Sequence, residues 1–174
     1  MSAKEQFGAK EQFSLKEQFI GAWEREFPTT LKVLKAFPAS QLDFKPHERS
    51  MPAKQLAWLF VQGQICVKQT LDGTLTMPPK LPSAPAKWEE IVATYEKSHA
   101  GLVEKLGKAS EADFLSTMKL MVGPGKMADV PKVQWFWFLL SDGIHHRGQF
   151  SVYLRMAGGK VPSIYGPSAD EPWM

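Results

Sequence analysis

Apolar positions recur at three- and four-residue steps along four stretches of this chain, which is the spacing of amphipathic α-helices. In the third stretch, the residues that follow this spacing are Trp88, Ile91, Val92, Tyr95, Leu102 and Leu106. The pattern predicts four helices, over about residues 14–37, 53–71, 86–106 and 129–157. Proline-rich connections separate the first three of them.

Local signals mark the ends of these helices. Ser14 precedes the first helix, and Glu17 lies three residues later, which is the capping-box spacing. Pro28 predicts a kink or a break near Phe27. The other predicted boundaries are Asp72-Gly73 after the second helix, Gly107 after the third, Asp129 with Pro131 before the fourth, and Gly158-Gly159 after it.

Two segments lack the helical pattern. Residues 108–128 alternate imperfectly and contain Gly123-Pro-Gly125, so either a short hairpin or an ordered loop is possible, and we treat the segment as irregular. The tail after Gly159 is rich in proline, but Val161, Ile164, Tyr165 and Trp173 indicate that it packs on the body. The predicted fold is therefore all-α, a four-helix bundle with crossover loops and an ordered proline-rich C-terminal tail.

The N-terminus repeats the motif Lys-Glu-Gln-Phe three times, with a period of six residues. Because a helix turns every 3.6 residues, Phe7, Phe13 and Phe19 cannot share one helix face. We expect Phe19 to lie in the core and residues 1–13 to form a repetitive extension. Residues 14–174 then form a single domain.

Composition restricts the class of protein. The chain has 174 residues, of which 44% are hydrophobic and 22% charged, as in an ordinary globular domain. No apolar run approaches the roughly 20 residues that span a bilayer, and no signal peptide is visible, so we expect a cytoplasmic protein without a membrane partner. The net charge of +3 is dispersed, so nucleic acid is not an expected partner. The single cysteine, Cys66, excludes an intramolecular disulfide and indicates a core residue rather than a nucleophile.

The candidate chemistry lies on the fourth predicted helix. Asp142 and His146 are four residues apart and therefore lie on one helix face, which Gln149 and Tyr153 extend. Unpaired polar groups are costly to bury, so this stripe needs partners or a ligand. It is the candidate site.

Other residues of the same helix have alternative interpretations. Gly143 and Gly148 indicate either plain helix packing, or close approach of another backbone, or room for a ligand. His145 is either a neighbour of the site or a surface residue. Four aromatic residues, 135–138, surround the helix, which suits a bundle core together with a dimer contact. Arg147 and Arg155 are expected to tie the tail and helix ends by hydrogen bonds, whereas His47 and His99 are expected to be solvated.

The C-terminal part of the chain resembles the signature of the DinB/YfiT-like superfamily. The resemblance lies in His146-Arg-Gly-Gln149, in Tyr153-Leu-Arg155 and in the segment from Gly159 to Ser168. The second-helix segment from Gln55 to Gln64 is also similar to that family. The resemblance implies a four-helix bundle, often dimeric, with a divalent metal held by three histidines. Members with known activities are thiol-dependent transferases and isomerases.

The resemblance also indicates a depleted metal site. His146 matches the last histidine ligand, whereas Asp142 stands four residues before it and Leu59 occupies the ligand position of the second helix. A carboxylate can bind a divalent metal, but leucine cannot, and Gln62 is a weak substitute. A zinc, nickel or manganese ion would be weakly held. The alternative is that no metal binds and Asp142 accepts a hydrogen bond.

Two functions follow from these alternatives. The first is a metal-dependent transferase or hydrolase of small molecules, with Asp142 and His146 holding the ion. The second is a bundle without catalytic activity that binds a small ligand or serves as a structural dimer. The pocket candidates are His145, Gln149 and Tyr153, and a homodimer is expected in either case.

Overall fold

The computed structural model describes residues 13–173. The predicted repetitive extension, residues 1–13, therefore lies outside the described residues except for Phe13. The elements are α1 (Leu15–Ala36), α2 (Ala53–Leu71), α3 (Trp88–Lys108), α4 (Glu111–Leu115), β1 (Thr117–Gly123), β2 (Lys126–Pro131) and α5 (Lys132–Met156). A 3₁₀ turn, Ala39–Gln41, lies in the first connection. The architecture confirms the predicted bundle of four long helices and adds a small hairpin to it.

Helix α1 begins as its sequence predicts. The Ser14 hydroxyl accepts a hydrogen bond from the backbone of Glu17, whose carboxylate accepts one from the backbone of Ser14, so the capping box is complete. Phe19 is fully buried, as expected. The helix continues through Pro28 without a break.

Helix α2 has the predicted bounds, and it ends before Gly73, whose φ of 67° favours glycine. The predicted end of α3 at Gly107 was wrong, because the helix continues to Lys108. The backbone at Gly107 is still helical, and Ala109 is the extended residue at which the helix ends.

The predicted cap at Asp129 was also wrong. Residues 117–131 form an antiparallel hairpin in which Lys119 pairs with Asp129, and the two side chains form an ion pair at 2.7 Å. Helix α5 begins only at Lys132, after Pro131 in the N-cap position. The alternating pattern around Gly123-Pro-Gly125 therefore signals strands, and Gly125 supplies the positive φ of 67° that the turn needs.

The packing order of the long helices explains the long connections. Helix α1 packs against α3 and α5, and α2 packs against the same two helices. Consecutive helices α1 and α2 are thus diagonal partners, as are α3 and α5. The connections between them cross the ends of the bundle, which confirms the expected crossover loops.

The tail is anchored to the bundle. Val161 and Ile164 pack on the core, and Asp170 accepts a 2.7 Å ion-pair contact from Arg155 at the end of α5. Trp173, in contrast, is 68% exposed. The tail can pass close to the end of α1 because Gly159 has no side chain. A Cβ at this position would lie 3.0 Å from the carbonyl oxygen of Ala36. Within residues 13–173, none of the helices is both long and apolar enough to cross a bilayer.

Candidate functional site

A partly enclosed cavity of about 40 Å³ lies between the four long helices. A space of about 10–15 Å³ on this measure accommodates one water molecule, so the cavity has room for about three small nonhydrogen groups. Its lining comprises Trp23, Glu26, Phe27 and Thr30 of α1, Leu59, Phe60, Gly63 and Gln64 of α2, Tyr95 of α3, and Leu139, Leu140, Asp142, Gly143, Ile144 and Arg147 of α5.

Two glycines on facing helices contribute to this space. Gly63 of α2 and Gly143 of α5 both line the cavity, and apart from the local backbone of the same helix, a Cβ at either position would meet no atom of residues 13–173 within 4 Å. The room is therefore real, and no other backbone approaches closely there. Of the interpretations that the sequence allows for Gly143, space beside the helix is the one that the geometry matches.

Asp142 and His146 form the pair that their spacing predicts. The Oδ2 atom of Asp142 lies 3.3 Å from Nε2 of His146, and the two side chains are 42% and 18% exposed. Asp142 lines the cavity, whereas His146 lies outside its lining. The aspartate therefore lies at the mouth of the cavity, and the histidine contacts it from outside the cavity lining.

The remaining members of the polar stripe extend away from the cavity. Nδ1 of His146 lies 3.0 Å from the amide oxygen of Gln149, and the amide nitrogen of Gln149 lies 3.0 Å from Nε2 of His145. His145 and Gln149 are exposed, and Tyr153 is buried with its hydroxyl donating to the carbonyl of Met51 at 3.1 Å. The stripe thus runs from the cavity mouth along the surface of α5.

The donor set does not fit a metal bound by three protein ligands. Leu59 lines the cavity together with Asp142 and offers only hydrocarbon. Gln62 donates its amide to the carbonyl of Pro82 at 3.2 Å and lines a separate surface depression. Within residues 13–173, no three His, Cys, Asp or Glu side chains are grouped so as to hold an ion.

A buried ion pair forms part of the cavity wall, and only its arginine was anticipated. Nη2 of Arg147 lies 2.6 Å from Oε2 of Glu26, and the arginine side chain is 2% exposed. Arg147 also donates to the hydroxyls of Thr30 at 3.0 Å and Tyr165 at 2.5 Å, and Tyr165 donates to Glu26 at 2.7 Å. The expectation that Arg147 ties the tail to the bundle is confirmed.

Glu26 was missed by the sequence interpretation, although a signal for it exists. It lies three residues after Trp23 and four before Thr30, both of which are buried. A glutamate on the inner face of an amphipathic helix needs a partner, and the buried arginine of α5 supplies it.

Tyr95 contributes a neutral hydroxyl to the site. Burial raises the pKa of Tyr95 well above its usual range, and a hydrogen bond with Thr30 only partly opposes that shift. The side chain is therefore a phenol throughout the physiological range, and it adds no negative charge to the cavity.

The structure corrects one histidine and confirms another. His99 was expected to be solvated, but it is 7% exposed and stacks on Phe27 with ring centroids 3.5 Å apart. His99 lies inside the bundle, on the same buried face of α3 as Tyr95 and Leu102. Burial lowers the pKa of His99, although Glu24 at 3.0 Å opposes the shift. His47 is exposed, as predicted.

Cys66 and the aromatic residues of α5 complete the comparison. Cys66 is buried in the core, as predicted, and burial raises the pKa of its thiol to about 11. Phe136 is fully buried and Trp135 and Trp137 are half-buried, while Phe138 is 57% exposed. The helix is thus covered on several sides, and Phe138 is left on its outer face.

Comparisons with known proteins agree with this architecture. The chain is 26% identical to the uncharacterized protein YrdA of Bacillus subtilis (strain 168) over 153 residues, which are 88% of this chain and 89% of the relative. A DinB-like protein of Bacillus cereus ATCC 10987 superimposes with a TM-score of 0.72 at 23% identity, over 86% of this chain and 97% of that one. A DinB-like protein of Bacillus subtilis, YjoA, gives a TM-score of 0.66 at 18% identity, over 82% and 94% of the two chains.

A family model also matches the sequence of this chain. The model described as the DinB family matches residues 1–173, nearly the whole chain. The resemblance first seen around His146 and Tyr153 is thereby confirmed. This chain belongs to the DinB family.

Proposed function

We propose that this DinB family protein binds a small molecule in the cavity between its four long helices, without a metal ion. The observation that carries the proposal is the composition of the cavity wall. Asp142 and Leu59 line the same space, so a carboxylate and a hydrocarbon stand where a metal site would need further ligands. Gly63 and Gly143 leave room there that no side chain of residues 13–173 fills.

The glycines support a binding role because glycine lowers the stability of a helix. A glycine in a helix interior costs about 1 kcal/mol relative to alanine. Gly63 and Gly143 lie well inside α2 and α5, and apart from the local helix backbone, an added Cβ would meet no atom of residues 13–173 within 4 Å. Alanine would therefore stabilise both helices, and a ligand that needs the space gives a reason for glycine.

A second candidate function is an enzyme that uses a weakly held divalent ion at Asp142 and His146, with Gln62 as a helper. One distance favours it: the 3.3 Å between Asp142 Oδ2 and His146 Nε2. Two ligand atoms on a tetrahedral zinc ion with bonds of about 2.1 Å lie roughly 3.4 Å apart. The same distance also suits a direct hydrogen bond, and the pair supplies only two ligands, so we place this candidate second.

Fragment binding to the full chain tests the first candidate. A set of fragments with about three to six nonhydrogen atoms, spanning neutral, cationic and anionic groups, would be titrated by ¹H–¹⁵N NMR. We expect at least one to shift the resonances of cavity residues in the wild type and to lose that effect in Gly143→Ala and Gly63→Ala. Gly148→Ala is the matched control, since Gly148 lies on the same helix, exposed and outside the cavity lining. Equal binding by Gly143→Ala and Gly148→Ala, or no binding by any fragment, contradicts the proposal.

Equilibrium dialysis against zinc, nickel and manganese separates the two candidates. The first predicts no stoichiometric uptake that depends on Asp142 and His146. Uptake of one ion per chain, lost in Asp142→Ala and His146→Ala while both variants stay folded by circular dichroism, would establish the second candidate instead.

We also propose that the outer face of α5 binds a second copy of this chain. Phe138, Val152 and Met156 are 57%, 55% and 54% exposed on that face. Phe138 lies seven residues before His145 and Val152 seven after it, so two antiparallel α5 helices crossing at His145 would pair Phe138 of each copy with Val152 of the other.

Light scattering should give a dimer for the wild type and a monomer for Phe138→Glu. Val122→Glu, at a 59% exposed site on the hairpin, should remain dimeric, and a monomeric wild type would refute the proposal.

A further inference from the structure

We propose that the cavity accepts a small organic ammonium ion, with Asp142 as its counter-ion. This inference rests on the proposed binding function and adds the chemical class of the ligand. It is argued from the charges of the lining, from the type of its walls and from its size.

The charges of the lining favour a cation. Three charged side chains line the cavity, namely Glu26, Asp142 and Arg147. Arg147 and Glu26 neutralise each other at 2.6 Å, whereas Asp142 has an ion-pair contact within the described chain with His146 alone. Among residues 13–173, Asp142 thus has no lysine or arginine partner. An anion entering the cavity would meet this carboxylate and lose its hydration, whereas a cation would gain a partner.

The wall favours an organic cation over a metal ion. Four aromatic side chains line the cavity, from Trp23 and Phe27 of α1, Phe60 of α2 and Tyr95 of α3. Aromatic rings attract ammonium groups through their quadrupole, most strongly where water is excluded. Calcium and magnesium instead need about six oxygen ligands. A wall of rings with one carboxylate outside the Arg147–Glu26 ion pair matches the first chemistry and not the second.

Two neutral polar groups of the lining already act as acceptors within the protein. The amide oxygen of Gln64 already accepts a hydrogen bond from Ser98, and the hydroxyl of Thr30 accepts one from Arg147. Asp142 is 42% exposed at the cavity mouth, so a ligand can reach it from solvent. The ammonium group would donate its hydrogen bonds to Asp142 and place its alkyl part among the rings.

The volume limits the part of the ligand that enters. About 40 Å³ admits about three nonhydrogen groups, which is the three-carbon alkyl part of isopropylammonium. A longer alkyl part would exceed this volume while its ammonium group stays beside Asp142 at the mouth. Isopropylammonium and isopropanol are therefore suitable probes, because they have the same shape and differ in charge.

Calorimetric or NMR titration of the full chain tests the inference. We expect isopropylammonium to bind about tenfold or more tightly than isopropanol, and acetate not to bind. Asp142→Asn should weaken isopropylammonium binding by about tenfold and isopropanol binding much less, because an amide oxygen still accepts a hydrogen bond from the hydroxyl but carries no charge. The matched control is Asp129→Asn, which removes the same charge from an exposed strand carboxylate and should change neither affinity. Gly143→Ala should remove binding of both probes.

The outcomes separate the two proposals. If isopropanol binds as tightly as isopropylammonium, or if acetate binds more tightly, the ammonium inference is wrong and the cavity remains a binding site. If Asp142→Asn and Asp129→Asn weaken the cation equally, the effect is long-range charge and the inference is again wrong. If no probe binds, the ammonium inference falls, and the fragment set of the preceding section decides the binding function separately.

Discussion

Replacing Arg147 by methionine is the most severe test of the interactions that shape the cavity. The change keeps much of the aliphatic chain but removes the guanidinium, which contacts Glu26 at 2.6 Å and donates to Thr30 and Tyr165. Arg147 is 1% exposed, and the carboxylate side chain of Glu26 is 19% exposed. The variant therefore leaves a largely buried carboxylate with no cationic partner.

The magnitude follows from burial. Removing one partner of a buried ion pair costs about 3–5 kcal/mol, because the other charge remains desolvated. A single domain is stable by about 5–15 kcal/mol in all. Arg147→Met should thus remove between about a fifth and the whole of the free energy of unfolding. Arg155→Met is the matched control: its ion pair with Asp170 is 2.7 Å long, close to the 2.6 Å of the Arg147 pair, but Arg155 is 49% exposed, so the loss should be about 0–1 kcal/mol.

Urea denaturation, followed by tryptophan fluorescence and circular dichroism, measures both variants. We expect the midpoint of Arg147→Met to fall with an unchanged m-value. Adding Glu26→Gln to Arg147→Met should recover part of the loss, because a neutral amide costs less to bury than a carboxylate. If Arg147→Met is no more destabilised than Arg155→Met, or if Glu26→Gln gives no recovery, the buried charge is not what stabilises this wall.

Four further predictions concern single positions. Cys66 should react with a thiol reagent at pH 8 only as the protein unfolds, because burial raises its pKa to about 11 and leaves little thiolate; rapid labelling of the native protein would contradict this. Gly159→Ala should cost about 1–3 kcal/mol by overpacking, because its Cβ would lie 3.0 Å from a backbone oxygen, and thermal melting measures the loss. Ser14→Ala should cost about 1 kcal/mol through the lost cap, and an unchanged melting temperature would argue against the capping box in solution. Burial lowers the pKa of His99 below 6.5, so the unfolded chain takes up that proton first and stability falls as the pH drops below about 6.5. His99→Gln should therefore flatten the stability profile between about pH 7 and 5, measured by urea midpoints, relative to the exposed-site control His47→Gln.

Interactions between residues that are close in sequence could be predicted from the sequence alone. The capping box of Ser14, the bounds of α2 and the pairing of Asp142 with His146 each depend on side chains no more than four residues apart. The hairpin shows the limit of such signals. A proline after an aspartate is typical of a helix start, but pairing with β1 competes for the same residues and places Asp129 in a strand.

What the sequence alone determined is the family, the four long helices and the polar stripe of α5, because these follow from local spacing and a contiguous signature. Only the tertiary structure decided which polar residues face inward together. Glu26 meets Arg147 across 121 positions of the chain, and His99 is buried because Phe27 of another helix covers it. The cavity arises in the same way, since Gly63 and Gly143 leave a shared space only once α2 and α5 pack against each other. Helix periodicity specifies which residues share one face, but it does not specify what the opposite helix brings to that face.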